Sequence, residues 1–210
     1  MIKKNLKILI ITSVVILLPI LAGVILWNQL PDQLPIHWNA AGDVDGWASK
    51  PFAVFLMPVF LLVVQWICVI ATSVDPKNKN HQSKILHLVF WMIPVLSVLV
   101  HVIEFATAMG HEVRIEVIMP VFMGLLFVII GNYMPKCKQS YTIGIKIPWT
   151  LNSEENWNRT HRFAGWLWFI GGLGMMATGF IGGFVAFFAI ALLMVIVPMI
   201  YSYILYRKGI

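Results

Sequence analysis

Long apolar runs separated by polar links dominate the hydrophobic pattern of the chain. Six runs come close to or exceed the length of about 20 residues that an α-helix needs to cross a bilayer: residues 8–28, 52–72, 85–108, 115–132, 164–181 and 184–206. The pattern therefore predicts an all-α, polytopic membrane protein with six transmembrane helices. Between the last two runs, Gly182-Gly183 predicts a very tight turn.

The composition supports the same interpretation. Of the 210 residues, 60% are apolar and 11% are charged, whereas soluble domains carry roughly 25% charged residues. So few charges cannot cover a surface that faces water, and most of the surface is expected to face lipid. The polar links are too short for a separate globular domain.

The placement of the basic residues predicts the orientation. All of the 15 Lys and Arg residues except Lys50 and Arg114 fall on the side of the membrane that holds the N-terminus. Because cytoplasmic loops carry an excess of Lys and Arg, both termini are expected in the cytoplasm. This placement also explains the net charge of +6, so direct nucleic-acid binding is not expected.

Prolines and small residues are expected to shape the packing of the helices. Five of the six predicted spans contain an internal proline, which tends to kink its helix: Pro19, Pro58, Pro94, Pro120 and Pro198. In the fifth span, small residues recur near one helical face and would let another helix approach closely: Gly171, Gly174, Thr178 and Gly182.

The outer loop, residues 29–51, is predicted to be compact. Pro31 and Pro35 favour an extended backbone, and residues 39–42 and Asp45-Gly46 are turn signals. The loop also holds two tryptophans, which suit interfacial anchoring. The alternative function is a rigid outward surface that recognises an extracellular molecule, with these candidate contact residues: His37, Trp38, Asp45, Gly46, Trp47 and Lys50.

A metal site in the outer loop is not expected. Three of its side chains are plausible ligands: His37, Asp43 and Asp45. If Gly46 took the sixth position of an EF-hand loop, however, Ala41 and Phe52 would occupy the first and last positions, which require carboxylates. No cofactor is expected either.

The inner loop, residues 133–163, ends in a predicted juxtamembrane helix. Ser153 suits the N-cap, and Glu154-Glu155 in the first turn would complement the helix dipole. The helix is expected to run straight into the fifth span with four residues on one face: Trp157, His161, Ala164 and Trp168. Arg159 and Arg162 would reach lipid phosphates or a protein partner.

Among the polar side chains inside predicted spans, three stand out as candidates: Gln65, His101 and Glu104. Glu104 follows His101 by one turn near the outer end of the third span, and an ionisable residue there is a functional-site candidate. Snorkelling of the carboxylate to the nearby interface is the equally good alternative. Gln65 in the second span is expected to bond across helices.

Motifs in both long loops resemble a known family. The outer loop reads L-P-x-x-L-P-I-H-W…G-D-V-D-G-W-x-S-K and resembles a small N-terminal membrane domain of bacterial proteins. The inner segment reads G-N-Y-M-P-K…G-I-K-I-P-W-T-L…S-E-x-x-W…T-H-R…G and resembles the core of the SdpI family. On this resemblance, residues 1–72 are assigned to the N-terminal domain and residues 73–210 to an SdpI-like region.

The resemblance implies immunity to an extracellular peptide toxin, exerted in the bacterial cytoplasmic membrane. It also implies that the toxin-bound protein recruits a cytoplasmic transcriptional repressor. The implied partners are therefore the toxin, this repressor and the lipid bilayer. The inner-loop residues assigned to the cytoplasmic partner are Lys146, Pro148, Trp149, Thr150, Glu154, Trp157, His161 and Arg162.

A small-molecule or ion transporter is the alternative function. Each half of the chain shows one helix, a long polar loop and then two helices, so three helices per half would give the inverted repeats known from transporters. A transporter should also carry polar residues at the centre of several spans, and apart from Gln65 the sequence shows few. An enzyme is not expected, because no nucleophile elbow, phosphate loop or metalloprotease pair appears.

Overall fold

The computed structural model describes residue 2, residues 5–77 and residues 83–210, the last range without the side chains of residues 83 and 84. Lys3, Lys4 and Lys79, which contribute to the predicted orientation, lie outside the described residues.

Six helices of the described chain are long and apolar enough to cross a membrane. They are α1 (Leu6–Ile25), α2 (Met57–Val74), α3 (Ser83–Ala108), α4 (Ile115–Tyr133), α6 (Glu154–Ile181) and α7 (Phe184–Arg207). The short helix α5 (Pro148–Asn152) lies in the inner loop. The predicted fold class and the six predicted spans are confirmed. The fifth helix is longer than its apolar run because it includes the predicted juxtamembrane segment.

The chain forms two compact units. Unit 1 comprises Met1–Ser73 and Leu86–Arg114, and unit 2 comprises Val74–Ile85 and Ile115–Ile210. Unit 1 thus holds α1, the outer loop, α2 and most of α3, whereas unit 2 holds α4, the inner loop, α6 and α7. The boundary predicted after residue 72 from the family resemblance stays a prediction.

Unit 1 is built around two clusters of buried apolar side chains. The first joins the beginning of the outer loop to the helices and consists of Leu30, Leu34, Ala53, Val54 and Phe105. The second consists of Leu9, Val69 and Phe90. Gln65 Nε2 donates a hydrogen bond of 2.8 Å to the Phe90 carbonyl, which is the expected bond across helices.

The outer loop folds into an antiparallel hairpin that the sequence pattern did not predict. Strands β1 (Gln33–Trp38) and β2 (Val44–Ser49) pair with irregular register near His37. The Asn39 side chain accepts hydrogen bonds from the backbone of Ala41 and Asp43 and thereby closes the turn. The turn predicted at residues 39–42 is confirmed. The turn predicted at Asp45-Gly46 is wrong, because both residues lie inside β2.

In the second span, the helix irregularity next to the proline lies at the beginning of the span, not in its middle. Pro58 has no N–H to donate to the carbonyl four residues earlier. The residues just before it, Phe52–Leu56, form a π-helical segment, in which Met57 N donates to the Phe52 carbonyl. The other four predicted prolines lie inside their helices: Pro19, Pro94, Pro120 and Pro198.

Unit 2 is held together by close packing of α4 against α6. Gly124 faces Gly172, and Gly131 faces Gly165, so that the two backbones meet. A Cβ at Gly131 would lie 2.7 Å from the Phe169 nitrogen.

These glycines of closest approach differ from the small residues that the sequence pattern predicted. Gly171 and Gly174 face side chains of α7 instead, namely Met194 and Ile190. The predicted tight turn is confirmed: α6 ends at Ile181, Gly182 has φ of 69°, and α7 begins at Phe184.

Candidate functional site

The hairpin presents an exposed polar and aromatic edge. His37 Nδ1 donates a hydrogen bond of 2.5 Å to Asp45 Oδ1, and the two side chains are 69% and 44% exposed. Trp47, two residues beyond Asp45 on the same face of β2, is 54% exposed, whereas Trp38 is half-buried. Because the imidazole–carboxylate pair is solvated, it contributes little to stability.

Two of the predicted contact residues serve the loop itself. The Lys50 side chain is mostly buried: its ammonium donates to the Trp27 carbonyl at 3.2 Å and lies 5.1 Å from the centre of that indole ring. Gly46 allows the strands to approach, since a Cβ there would lie 2.7 Å from the His37 Cβ. Lys50 and Gly46 therefore hold the hairpin in place, while the exposed edge consists of His37, Asp45 and Trp47.

Among the described residues, no group of three His, Cys, Asp or Glu side chains is arranged to hold a metal ion. Of the three plausible ligands in the hairpin, His37 and Asp45 form a hydrogen bond with each other. The side chain of Asp43 accepts a hydrogen bond from Asn39 instead.

A buried carboxylate organises the inner loop of unit 2. Asp75, directly after α2, places Oδ2 within hydrogen-bond distance of Ser140 Oγ (2.6 Å), Thr142 Oγ1 (2.8 Å) and the backbone nitrogens of Tyr141 (2.9 Å) and Thr142 (3.1 Å). Its Oδ1 accepts from the Lys77 nitrogen at 2.9 Å. One side chain thus fixes the start of the loop to the segment that follows the second span.

The hydrogen bonds also keep this carboxylate ionised. Burial by itself would raise the pKa of Asp75, but the donors from Ser140, Lys77, Thr142 and Tyr141 outweigh burial and lower the pKa to about 2. A carboxylate that accepts several backbone N–H bonds is stabilised in its charged form. Asp75 is therefore a fixed anion at neutral pH.

A second layer of contacts links this anion to α5. Lys77 Nζ donates to Gln139 Oε1 at 2.6 Å and lies 4.8 Å from the centre of the Tyr141 ring. The amide nitrogen of Gln139 in turn donates to the carbonyls of Thr150 and Leu151 at 2.8 and 2.9 Å. The C-terminal carbonyls of the short helix α5 are thus satisfied by a side chain, as helix ends require.

Two aromatic side chains near the start of α6, Trp157 and His161, are buried against the inner loop. Trp157 and His161 stack with ring centres 3.9 Å apart. Trp157 Nε1 donates to the Cys137 carbonyl, and His161 Nε2 accepts from the Ile145 nitrogen. Because His161 Nδ1 donates to the Trp157 carbonyl, the imidazole is the neutral tautomer that carries its proton on Nδ1.

The helix start itself follows the prediction. The Ser153 side chain accepts a hydrogen bond from the Asn156 nitrogen, and Glu154 and Glu155 occupy the first turn of α6. The N-cap and the continuous helix are confirmed.

The structure divides the predicted output residues into two groups. Four are exposed: Lys146, Pro148, Glu154 and Arg162. Trp149 is half-buried against Tyr203 and Tyr206 of α7. Three are fully buried and cannot contact a partner in this conformation, which corrects their expected role: Thr150, Trp157 and His161. They position the loop instead.

Several residues that organise the inner loop were missed in the sequence. They are Asp75, Lys77, Gln139, Ser140 and Asn156. The Asn156 amide donates to the carbonyls of Ser202 and Ile210 and so ties the end of the chain to α6. One signal was available: an aspartate directly after an apolar span needs donors if the fold buries it.

The intramembrane pair in unit 1 does not snorkel. His101 and Glu104 are each only 1% exposed, and His101 Nε2 lies 3.9 Å from Glu104 Oε2. His101 Nδ1 donates to the Ser97 carbonyl at 2.7 Å. Neither Glu104 oxygen has a hydrogen-bond partner among the described residues. The snorkelling alternative is wrong because the side chain is enclosed by the unit.

The fold and its loops define a class: a multi-pass helical membrane protein whose polar chemistry is concentrated in two ordered loops. Residues 136–202 match the SdpI/YfhL protein family, and residues 14–62 match a domain of unknown function, DUF1648. Immunity protein SdpI of Bacillus subtilis (strain 168) is 27% identical over 212 aligned residues, which cover 98% of this chain and 97% of that protein. No solved structure matches this chain significantly.

The resemblance predicted from the loop motifs is thereby confirmed: a region that matches the SdpI family follows a region that matches DUF1648. The chain is a multi-pass protein of the bacterial cytoplasmic membrane. The SdpI match covers most of the inner loop together with α6 and most of α7, and the DUF1648 match covers most of α1, the hairpin and the beginning of α2.

Proposed function

We propose that this protein gives the cell immunity to an extracellular peptide toxin. The observation that carries the proposal is the nearly full-length similarity to Immunity protein SdpI. The similarity includes both polar loops, so the proposal does not depend on the apolar spans, which many membrane proteins share.

The hairpin is the surface proposed to meet the toxin. Three candidate spans separate the hairpin from the inner loop, so the two loops face opposite sides of the membrane if each span crosses it. With the N-terminus inside, the hairpin lies outside, where a secreted peptide arrives first. Its exposed His37, Asp45 and Trp47 offer a hydrogen-bonded imidazole–carboxylate pair beside an aromatic ring, and aromatic residues dominate the energy of many interfaces.

The inner loop is proposed to carry the output to a cytoplasmic transcriptional repressor. The loop presents the exposed cation Lys146 and the half-buried ring of Trp149. Its backbone is held in place by hydrogen bonds to the Asp75 carboxylate and from the Trp157 indole. An ordered loop suits recognition because little conformational entropy is lost on binding.

Survival assays with separated readouts test the proposal. The full-length chain is expressed in a sensitive bacterial strain, which is challenged with a panel of secreted killing peptides. Wild type is expected to protect against at least one peptide. The double variant His37→Ala, Trp47→Ala should lose about tenfold or more of this protection, because an exposed anchor and its neighbour are removed. Asp43→Asn, which lies in the same loop outside the proposed edge, is the matched control and should protect like wild type.

Output is scored in the same cells by membrane recruitment of a fluorescently labelled repressor. Lys146→Ala, Trp149→Ala should abolish recruitment and retain protection, since both residues belong to the inner loop. If this variant always loses protection and recruitment together at equal membrane levels, the two loops support a single function. If wild type protects against no peptide in the panel, the immunity proposal fails.

A transporter remains the second candidate, favoured by the buried pair in unit 1. A carboxylate without partners inside a span is costly and is found mainly where it serves a function. Glu104→Gln removes the charge and keeps the shape. If the pair acts in transport that underlies protection, this variant should lose protection while its membrane level stays unchanged. Full protection by Glu104→Gln would remove the support for this candidate.

A further inference from the structure

A cleft of about 600 Å³ opens beside α6 in unit 2. One side is provided by successive turns of α6 and the other by α7. Its lining residues are Asn158, Arg159, Arg162, Phe163, Trp166 and Tyr201. Phe163 and Tyr201 stack with ring centres 4.6 Å apart and form the base. Of the residues predicted to contact a cytoplasmic partner, the cleft includes Arg162, whereas Lys146, Pro148, Trp149 and Glu154 lie outside it.

One of the two arginines in the cleft has its charge available for a ligand. Arg159 donates to Glu155 at 2.6 Å, which places an anion beside its guanidinium. Arg162, by contrast, is exposed and forms no ion pair with any described residue. The guanidinium of Arg162 therefore suits a phosphate, whose oxygens match its fork of donors.

The face of α6 that carries the cleft changes polarity along the helix. The arginines come first, Phe163 and Trp166 follow one turn later, and Ile170 lies a further turn into the apolar part of the span. Trp166 is 68% exposed and Ile170 is 62% exposed. Aromatic rings prefer the level of the lipid headgroups, and exposed aliphatic residues of a span face acyl chains.

We propose that this cleft binds an anionic phospholipid. The phosphate binds Arg162, the glycerol region lies against Trp166 and Tyr201, and an acyl chain follows the apolar stripe past Ile170. The order of charge, aromatic ring and aliphatic side chain on α6 matches the order of chemical groups in the lipid. The net positive charge of the cleft selects an anionic headgroup over a zwitterionic one.

The test uses the purified full-length protein in nanodiscs of phosphatidylcholine, with or without an equal part of phosphatidylglycerol. Thermal stability and the lipids retained in native mass spectrometry are measured. Wild type should melt at a higher temperature with phosphatidylglycerol and should retain it. Arg162→Gln should lose this increment and bind the lipid about tenfold more weakly, because a charge-assisted bond is removed. Its stability in phosphatidylcholine alone should match that of wild type.

Two further variants separate a defined site from general surface charge. Arg162→Lys retains the charge without the planar fork and should keep part of the increment. Lys138→Gln removes an exposed charge of the inner loop outside the cleft and should keep all of it. Equal increments in wild type and Arg162→Gln would overturn the proposal, and loss of recruitment of the repressor in that variant would then assign the cleft to a protein partner. An equal loss in Lys138→Gln would also overturn it.

Discussion

A single buried charge, that of Asp75, determines the path of the inner loop. Removing an ionised carboxylate from water is expensive unless donors surround it. Five donors do so here, and most come from residues 140–142, which lie far along the chain from Asp75. The loop is therefore ordered around the anion, although its residues 137–147 contain no regular secondary structure.

Asp75→Asn should lower the stability of the protein by about 1.5–3 kcal/mol, the contribution of hydrogen bonds to a charged group. The side-chain amide of asparagine has one accepting oxygen instead of two. Either the hydrogen bond from the Lys77 nitrogen at Oδ1 or the group of hydrogen bonds at Oδ2 is therefore lost. The measurement is thermal unfolding in detergent. The control is Asp32→Asn: its side chain is fully exposed, so its ion pair with Lys50 at 3.6 Å contributes little and the replacement should have a small effect.

The pH dependence of this stabilisation has a defined sign. The pKa of Asp75 is lower in the folded protein, about 2, than the ordinary value of 3.8. Its contribution is therefore fully present above the ordinary value and is lost as the pH falls towards 2. The stability difference between wild type and Asp75→Asn should stay constant from about pH 5 to pH 8. A difference that varies across this range would contradict the assignment.

The backbone at Gly144 is a second position where one residue decides local structure. Gly144 has φ of +116°, and a Cβ there would lie 2.8 Å from the Trp157 ring and would also collide with the imidazole of His161. Any side chain would strain the backbone and push the stacked rings apart.

Gly144→Ala should therefore destabilise the protein by about 2–4 kcal/mol, combining backbone strain with overpacking. Gly110→Ala is the matched control, because Gly110 also has positive φ, +84°, but nothing lies within 4 Å of its Cβ position. The control should show only the smaller cost of backbone strain. Equal unfolding temperatures for the two variants would rule out the clash as a cause.

At the scale of elements, the contact between α4 and α6 depends on glycines seven residues apart on each helix. In a membrane, apolar side chains gain little from leaving lipid, so helices associate through close packing. Gly131 and Gly165 bring the backbones together near the end of α4, and Gly124 and Gly172 do so two turns away, near its middle.

Two substitutions of glycine by alanine in this unit should have opposite effects. Gly131→Ala places a methyl group 2.7 Å from backbone and should cost about 1–3 kcal/mol. Gly174→Ala meets only a flexible Ile190 methyl at 3.3 Å, so the gain in helix propensity of about 1 kcal/mol should dominate. Thermal unfolding of both purified variants gives the comparison. Stabilisation by Gly131→Ala would show that the helices are not in close contact.

At the scale of the whole molecule, the charge distribution makes the orientation testable. With both termini inside, a reporter fused after Ala40 should report an external position and one fused after Asn152 a cytoplasmic position. Asn152 is the more informative site, because the output proposed for the inner loop requires it to be inside. An external signal at Asn152 from a stable fusion would invert the assigned roles of the two loops.

The sequence by itself determined the number and approximate limits of the spans, the tight turn at Gly182 and the helix start at Ser153. These features depend on local chemistry: hydrophobic length, conformational freedom and capping are written in neighbouring residues. The family was also accessible, because its motifs are short and contiguous.

Only the tertiary structure decided which loop residues are exposed and which support them. Trp157, His161 and Thr150 belong to the same motif as Lys146 and Arg162, yet they are buried. Burial depends on partners distant in the chain, such as Cys137, whose carbonyl accepts a hydrogen bond from Trp157 Nε1. The role of Asp75 and the strand pairing of the hairpin could not be predicted either. Both depend on residues that are distant in the chain, which a local sequence pattern does not reveal.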